Sequence, residues 1–157
     1  MHRGLREEIK QTKPFRSVED EAYLNLLRTA DALLRKETEM LKEYSLSPTQ
    51  YNALRILRGA GPSGATCGEL SDRMLTKDPD VTRLIDRLEA RGLLGRARSD
   101  QDRRVVRATI TSEGLAMLAS LDEPSERWTR GQLGHMSETE LRELIRLLER
   151  AREGIAG

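Results

Sequence analysis

The stretch that decides the fold is DPDVTRLIDRLEARGLLGRARSDQDRRVVRATIT, Asp78 to Thr111. Its first part has a helical period. Val81, Leu84, Ile85 and Leu88 recur on one face, while Thr82, Arg83, Asp86, Arg87 and Glu89 fall off it. Asp78 reads as the N-cap and Pro79 as the first helical residue, where a missing N–H costs nothing. Asp80 reads either as a partner for the positive end of the helix dipole or as an acceptor for a cytosine amino group. Gly92 stands where a helix end needs a residue free to turn left-handed. Leu93 and Leu94 then lead into a strand. Arg96, Arg98, Ser99, Asp100, Gln101, Asp102, Arg103 and Arg104 make a charged, turn-prone tip, and Val105, Val106, Ala108 and Ile110 return as a β-branched strand. A helix with one polar face, followed by a basic hairpin, suits a duplex reader. The helix fits a major groove, and the hairpin reaches a phosphate run or the minor groove beside it.

Outward from this segment the pattern is helical. Residues 1–17 form a mixed-charge arm containing Pro14. From Ser17 to about Tyr44, Tyr23, Leu26, Leu27, Ala30, Leu33, Leu34, Met40 and Leu41 recur as the stripe of a long amphipathic helix. Ser47-Pro48 reads as a cap and first position for a helix ending near Gly59, followed by a glycine-rich loop. Thr66 and Glu69 have capping-box spacing, as do Ser137 and Glu140. Thr111 or Ser112 opens a helix through Leu115, Leu118 and Leu121, which Pro124 is expected to kink or interrupt. Leu141, Leu144, Ile145, Leu148 and Ala151 give a last helix its stripe. The expected organisation is one domain: the arm, helices at 18–45 and 112–157, and a small lobe at 46–111 between them.

Net charge over 157 residues is only +1, but its distribution is uneven. Between Arg73 and Arg107 lie ten basic and six acidic residues, a local +4 that leaves −3 on the rest. A basic excess inside an otherwise acidic chain is the footprint of a nucleic-acid-binding face; a solvated charged surface is the alternative. A single cysteine rules out an internal disulfide and points to a reducing cytoplasm. No apolar run approaches the ~20 residues that span a bilayer, and the polar start does not read as a secretory leader. Enzymatic readings find little support. His2 and His135 belong to no metal-spaced cluster, Cys67 has no CxxC partner, and the Gly59–Gly64 loop lacks the lysine of a phosphate-cradling motif. No cofactor or metal is expected. Cys67, at the start of a predicted helix, reads as a small half-buried residue, with an oxidant sensor as the alternative.

The run Asp102-Arg103-Arg104, five residues, then Ile110-Thr111 resembles the wing motif of the MarR family of winged-helix transcription regulators. Val81 to Leu94 resembles that family's recognition helix and its exit, Gly68 to Leu75 the first helix of the helix-turn-helix pair, and Leu46 to Leu57 the helix before it. The resemblance runs from about Leu24 to Ile155. It implies a mainly α (α+β) fold: a winged helix-turn-helix core with a two-stranded wing, plus N- and C-terminal dimerisation helices. It further implies a homodimer on a palindromic DNA operator, where protein and DNA two-folds coincide. At matching positions Lys77, Thr82, Arg83 and Arg87 would reach base edges and phosphates, with an ion pair to Asp86 or Glu89 as the alternative for Arg87. Arg98, Arg103 and Arg104 would enter the minor groove or clamp phosphates, Arg104 in part shaping the hairpin together with Asp102. A small phenolic or anionic effector is implied between the long helices and the lobe, where Tyr23, Tyr44, Tyr51 and Trp128 are the candidate walls; ordinary core is the alternative for each. A winged-helix protein-interaction module without DNA binding remains the competing reading.

Overall fold

Ser17 begins the first long element. Its hydroxyl accepts the Asp20 backbone N–H at 3.1 Å, and Glu19, Asp20 and Glu21 crowd the positive end of the helix that follows. The computed structural model describes residues 4–77, 80–99 and 101–155. Its helices are α1 (Leu5–Glu8), α2 (Val18–Leu41), α3 (Pro48–Ala60), α4 (Cys67–Arg73), α5 (Val81–Ala90), α6 (Ser112–Leu133) and α7 (Glu138–Glu153). Short 3-10 turns at Lys42–Tyr44 and Gly61–Ser63 follow α2 and α3. The strands β1 (Leu94–Arg98) and β2 (Val106–Ile110) pair antiparallel, from Leu94 opposite Ile110 to Arg98 opposite Val106. The protein is therefore mainly helical with a two-stranded wing.

The capping pairs predicted from spacing form, Thr66 with Glu69 and Ser137 with Glu140, each closing reciprocal hydrogen bonds; Ser47 closes a further box with Gln50, and Thr111 caps α6. The start of α5 differs from expectation. Its cap is Asp80, whose Oδ1 accepts the Arg83 N–H at 3.0 Å, and its first residue is Val81. A carboxylate one residue before the helix reaches the third turn amide directly, so Asp80 takes the role assigned to Asp78. Asp78 and Pro79 lie outside the described residues. Pro124 sits inside α6 without interrupting it. Proline forfeits one backbone bond there, while Leu118 and Leu121 are fully buried on the same helix and Asp122 pairs with Arg58 of α3 at 2.9 Å.

The core gathers Leu41, Leu54, Leu57, Leu70, Ile85, Leu88, Leu94, Leu118 and Leu121, each under 2 % exposed. Burial of each such side chain stabilises the fold by about 1.5–3 kcal/mol. The stripe of α5 faces it, with Val81, Leu84, Ile85 and Leu88 all buried. Two close approaches tie the wing to the helices. Ala65 exchanges backbone hydrogen bonds with Ala108 at 2.9 and 2.8 Å, adding a short third rung beside β2. Gly64 permits it, since its φ is +61° and a Cβ there would run into the Ala108 carbonyl. Helix α7 contrasts with the core, for none of its residues is buried within the chain.

Candidate nucleic-acid interface

The exposed face of α5 carries Thr82, Arg83, Asp86 and Arg87, two pairs at i, i+4 spacing opposite the buried stripe. The Arg83 guanidinium approaches the Asp80 carboxylate only to 4.0 Å. Arg87 forms no ion pair among the described residues; the acids proposed as its partners belong to Arg96 instead. From β1, Arg96 reaches Asp86 at 2.8 Å and Glu89 at 2.5 Å. That donation from Arg96 holds the Glu89 carboxyl below its ordinary range and lifts the guanidinium above its own. Arg96 is thus a strut between wing and helix, not part of the hairpin tip. Arg83 and Arg87 also line a cleft of about 250 Å³ with Ser47, Thr49 and Gln50 from the start of α3.

The tip is shorter than expected because the strands extend further. Ser99 donates to the Val105 carbonyl at 2.8 Å and Val105 to that of Asp102 at 2.9 Å, so the turn runs from Ser99 to Val105. Arg98 lies at the end of β1, exposed and without an ion pair among the described residues. Arg103 is exposed on the turn. Arg104 is 92 % exposed at its side chain, and both its amide and its Nε donate to Asp102 Oδ1, at 2.9 and 3.4 Å, which is the shaping role read for this pair. Lys77 is exposed beside α4 and donates to the Ser71 carbonyl at 3.4 Å.

Three arginines counted in the basic excess are engaged within the protein. Besides Arg96, Arg107 of β2 donates to the Ser63 and Gly64 carbonyls and to Glu69 at 2.7, 3.2 and 2.8 Å. Arg91, just past α5, donates to the Ser45 and Tyr44 carbonyls at 2.5 and 3.2 Å. Sequence pattern could not separate these from the others, because their partners lie up to 47 residues away.

The aromatic residues are not brought to one crevice. Tyr51 is core, 4 % exposed, with the Arg55 guanidinium 5.6 Å above its ring. Tyr44 packs against the core from the 3-10 turn, and Tyr23 is 58 % exposed near the other end of α2. The eighteen steps from Tyr23 to Leu41 span about 27 Å of helix, too far for both ends to wall one small-molecule site. Trp128 is half-buried on α6, with its indole N–H buried and lacking an acceptor among the described residues. Cys67 is exposed at the first position of α4. Among the described residues no cluster of His, Cys, Asp and Glu could hold a metal ion, and no helix is long and apolar enough to cross a membrane.

Comparison with known proteins fits this geometry. The model of the MarR family matches residues 46–106, the span from the start of α3 into β2. A crystal structure of a MarR transcription factor from Planctomyces limnophilus is 46 % identical, covering 87 % of this chain and 98 % of that one, with a TM-score of 0.67. The chain belongs to the MarR family. It is a DNA-binding transcription regulator of winged-helix fold. Another MarR-related sequence, the transcriptional repressor MprA of Escherichia coli K12, is 29 % identical over 140 residues, 84 % of this chain and 80 % of that one. The MarR fold is also that of MepR from S. aureus, solved with DNA, at 20 % identity and TM-score 0.76 over 84 % of this chain and 97 % of that one.

Proposed function

We propose that the protein is a homodimeric, cytoplasmic repressor that reads a palindromic operator with α5 and braces on flanking DNA with its wing. The observation that carries this reading is the division of the arginines. Arg91, Arg96 and Arg107 are engaged in holding the lobe together, whereas Arg87 and Arg98 face outward without an ion pair among the described residues. Thr82, Arg83 and Arg87 are assigned to base edges and the phosphates beside them. Lys77, Arg98, Arg103 and Arg104 are assigned to phosphates or the minor groove. The outward guanidinium groups of Arg83 and Arg87 on α5 and of Arg98 on the wing suit a phosphate-lined duplex better than a protein surface of mixed charge.

Residues 46–111 serve as the DNA-binding lobe, and 18–45 with 112–157 as the dimerisation helices. No residue of α7 is fully buried in its own chain, Ile145 and Leu147 are exposed on it, and Leu26, Leu27 and Leu34 are exposed on α2. A second copy would cover these side chains, and an acceptor from it would satisfy the Trp128 indole. A phenolic or anionic effector remains part of the proposal. Its best-supported seat is a cleft of about 670 Å³ beside α2, where Arg28, Lys36 and His135 rim Leu33, Leu133 and Met136. The deciding experiment selects duplexes from a random library with the purified protein, then measures affinity at two salt concentrations and mass by light scattering. Recovery of no duplex, or a monomer that binds as tightly as any oligomer, overturns the reading.

A further inference from the structure

The end of α2 and the end of the recognition helix are joined by one side chain. Helix α2 stops at Leu41 and passes through the Lys42–Tyr44 turn to Ser45, whose φ of +52° is left-handed for a residue with a Cβ. Leu46 donates back to the Leu41 carbonyl at 3.3 Å and Ser45 to that of Lys42 at 3.0 Å, which closes the helix end. The Tyr44 and Ser45 carbonyls are left over, and a helix end ordinarily gives such groups to water. Here both accept from Arg91, with Nη1 to Ser45 at 2.5 Å and Nη2 to Tyr44 at 3.2 Å. No carboxylate among the described residues lies within ion-pair distance of Arg91, so nothing competes for the guanidinium.

We propose that Arg91 is a positioning residue for DNA reading: it brackets the end of α2 to the end of α5 and so sets the angle at which the recognition helix meets DNA. The proposal rests on α5 being that helix. Val81, Leu84, Ile85 and Leu88 also hold α5, but apolar contacts are non-directional and let a helix slide or rock. The two hydrogen bonds are directional. They fix the terminus opposite the Asp80 cap. Over the ten residues of α5, about 15 Å, a slip of about 1 Å at the Arg91 end turns the axis by about 4°. The planar fork suits two adjacent carbonyls, whereas a lysine ammonium is a point charge that cannot reproduce it.

The test compares wild type, Arg91→Gln and Arg91→Lys on a duplex selected by wild type from a random library. Both variants should bind roughly tenfold more weakly at fixed salt. The slope of log affinity against log salt should stay at the wild-type value, since no phosphate contact is lost. Spin labels at Ala32→Cys on α2 and Thr82→Cys on α5, in a Cys67→Ser background diluted with unlabelled protein, should show a broader distance distribution without DNA when Arg91→Gln is added. Circular dichroism melting confirms folding, and should the glutamine variant unfold, the lysine variant carries the same measurements. Wild-type affinity with unchanged label distances overturns the bracket. Full rescue by lysine with a shallower slope for glutamine makes Arg91 a phosphate contact and also overturns it. If wild type selects no duplex, the DNA-reading assignment fails, while the label distances still judge the bracket.

Discussion

Replacing Arg98 or Arg103 with Ala separates a phosphate clamp from a base reader. Both side chains are exposed, one at the end of β1 and one on the turn, so truncation removes charge without opening the core. Each phosphate neutralised contributes about 0.9 to the steepness of log affinity against log salt on duplex DNA. In the proposed dimer one substitution deletes two guanidinium groups, which makes the slope shallower by about 1.8. Between about 50 and 200 mM salt that difference amounts to roughly tenfold: wild type loses about ten times more affinity across the interval than the variant. The assay is fluorescence anisotropy on the selected duplex and on a scrambled one of equal length. Both should weaken to a similar extent, because phosphates carry no sequence. An unchanged slope, or a changed base preference with scrambled binding intact, would refute the assignment and show that the wing reads bases.

Arg83→Ala should cost about 1–3 kcal/mol on the selected duplex and relax preference at one position, as read by repeating the selection with the variant. Deleting residues 137–157 should leave a species that is monomeric or aggregated by sedimentation and no longer binds tightly; a soluble monomer with wild-type affinity would sink the dimer model. Glu89 is held below its unfolded pKa by Arg96, so its contribution to stability is fully present above that unfolded value and is lost as pH falls through the folded one. The melting temperatures of wild type and Glu89→Gln should accordingly differ at neutral pH and converge as acidification protonates the carboxyl; a gap that widens on acidification has the wrong sign. Calorimetry of phenolic acids with and without operator should show that any compound loosening DNA is itself loosened by DNA by the same factor. Peroxide release of wild type but not of Cys67→Ser, with no compound showing that reciprocity, would make exposed Cys67 the sensor.

What the sequence made legible was whatever depends on short spacing. The capping boxes at Thr66 and Ser137 and the four-residue stripe of α5 are local, and the side chains sit where periodicity put them. The start of α5 was misplaced because two aspartates flank Pro79, and local rules allow either to cap. The hairpin tip was drawn too long because Arg96 and Arg98 interrupt the apolar alternation, although both occupy strand positions. At the site, helical phase marked Thr82, Arg83 and Arg87 as outward-facing. It could not distinguish Arg87, without an ion pair among the described residues, from Arg96, which reaches back from β1 to Asp86 and Glu89 of α5. Arg91 and Arg107 were invisible for the same reason, their acceptors being backbone carbonyls of distant turns. The aromatic residues lie on different elements, and spacing along the sequence carries no information on which of them share a cavity.

The near-zero net charge and the proposed DNA partner are reconciled by the same division of arginines. A chain carrying its basic residues everywhere would hold any duplex, since non-specific affinity grows with every phosphate neutralised. Here the excess of +4 between Arg73 and Arg107 is set against −3 elsewhere. Within the basic segment, Asp86 and Glu89 are countered by Arg96, and Glu69, just before it, by Arg107. The acids nearest the recognition helix are therefore occupied from the protein side. The outward cations include Lys77 beside α4 and those of α5 and the wing, where direction as well as charge is imposed by the lobe. The acidic remainder disfavours encounters in other orientations, so electrostatics would contribute alignment and α5 the discrimination between sequences. Under that arrangement Arg96→Ala should harm DNA binding more than removal of an outward arginine. It uncovers two carboxylates beside the recognition helix and frees the wing from α5, although Arg96 touches no DNA in the proposed assignment.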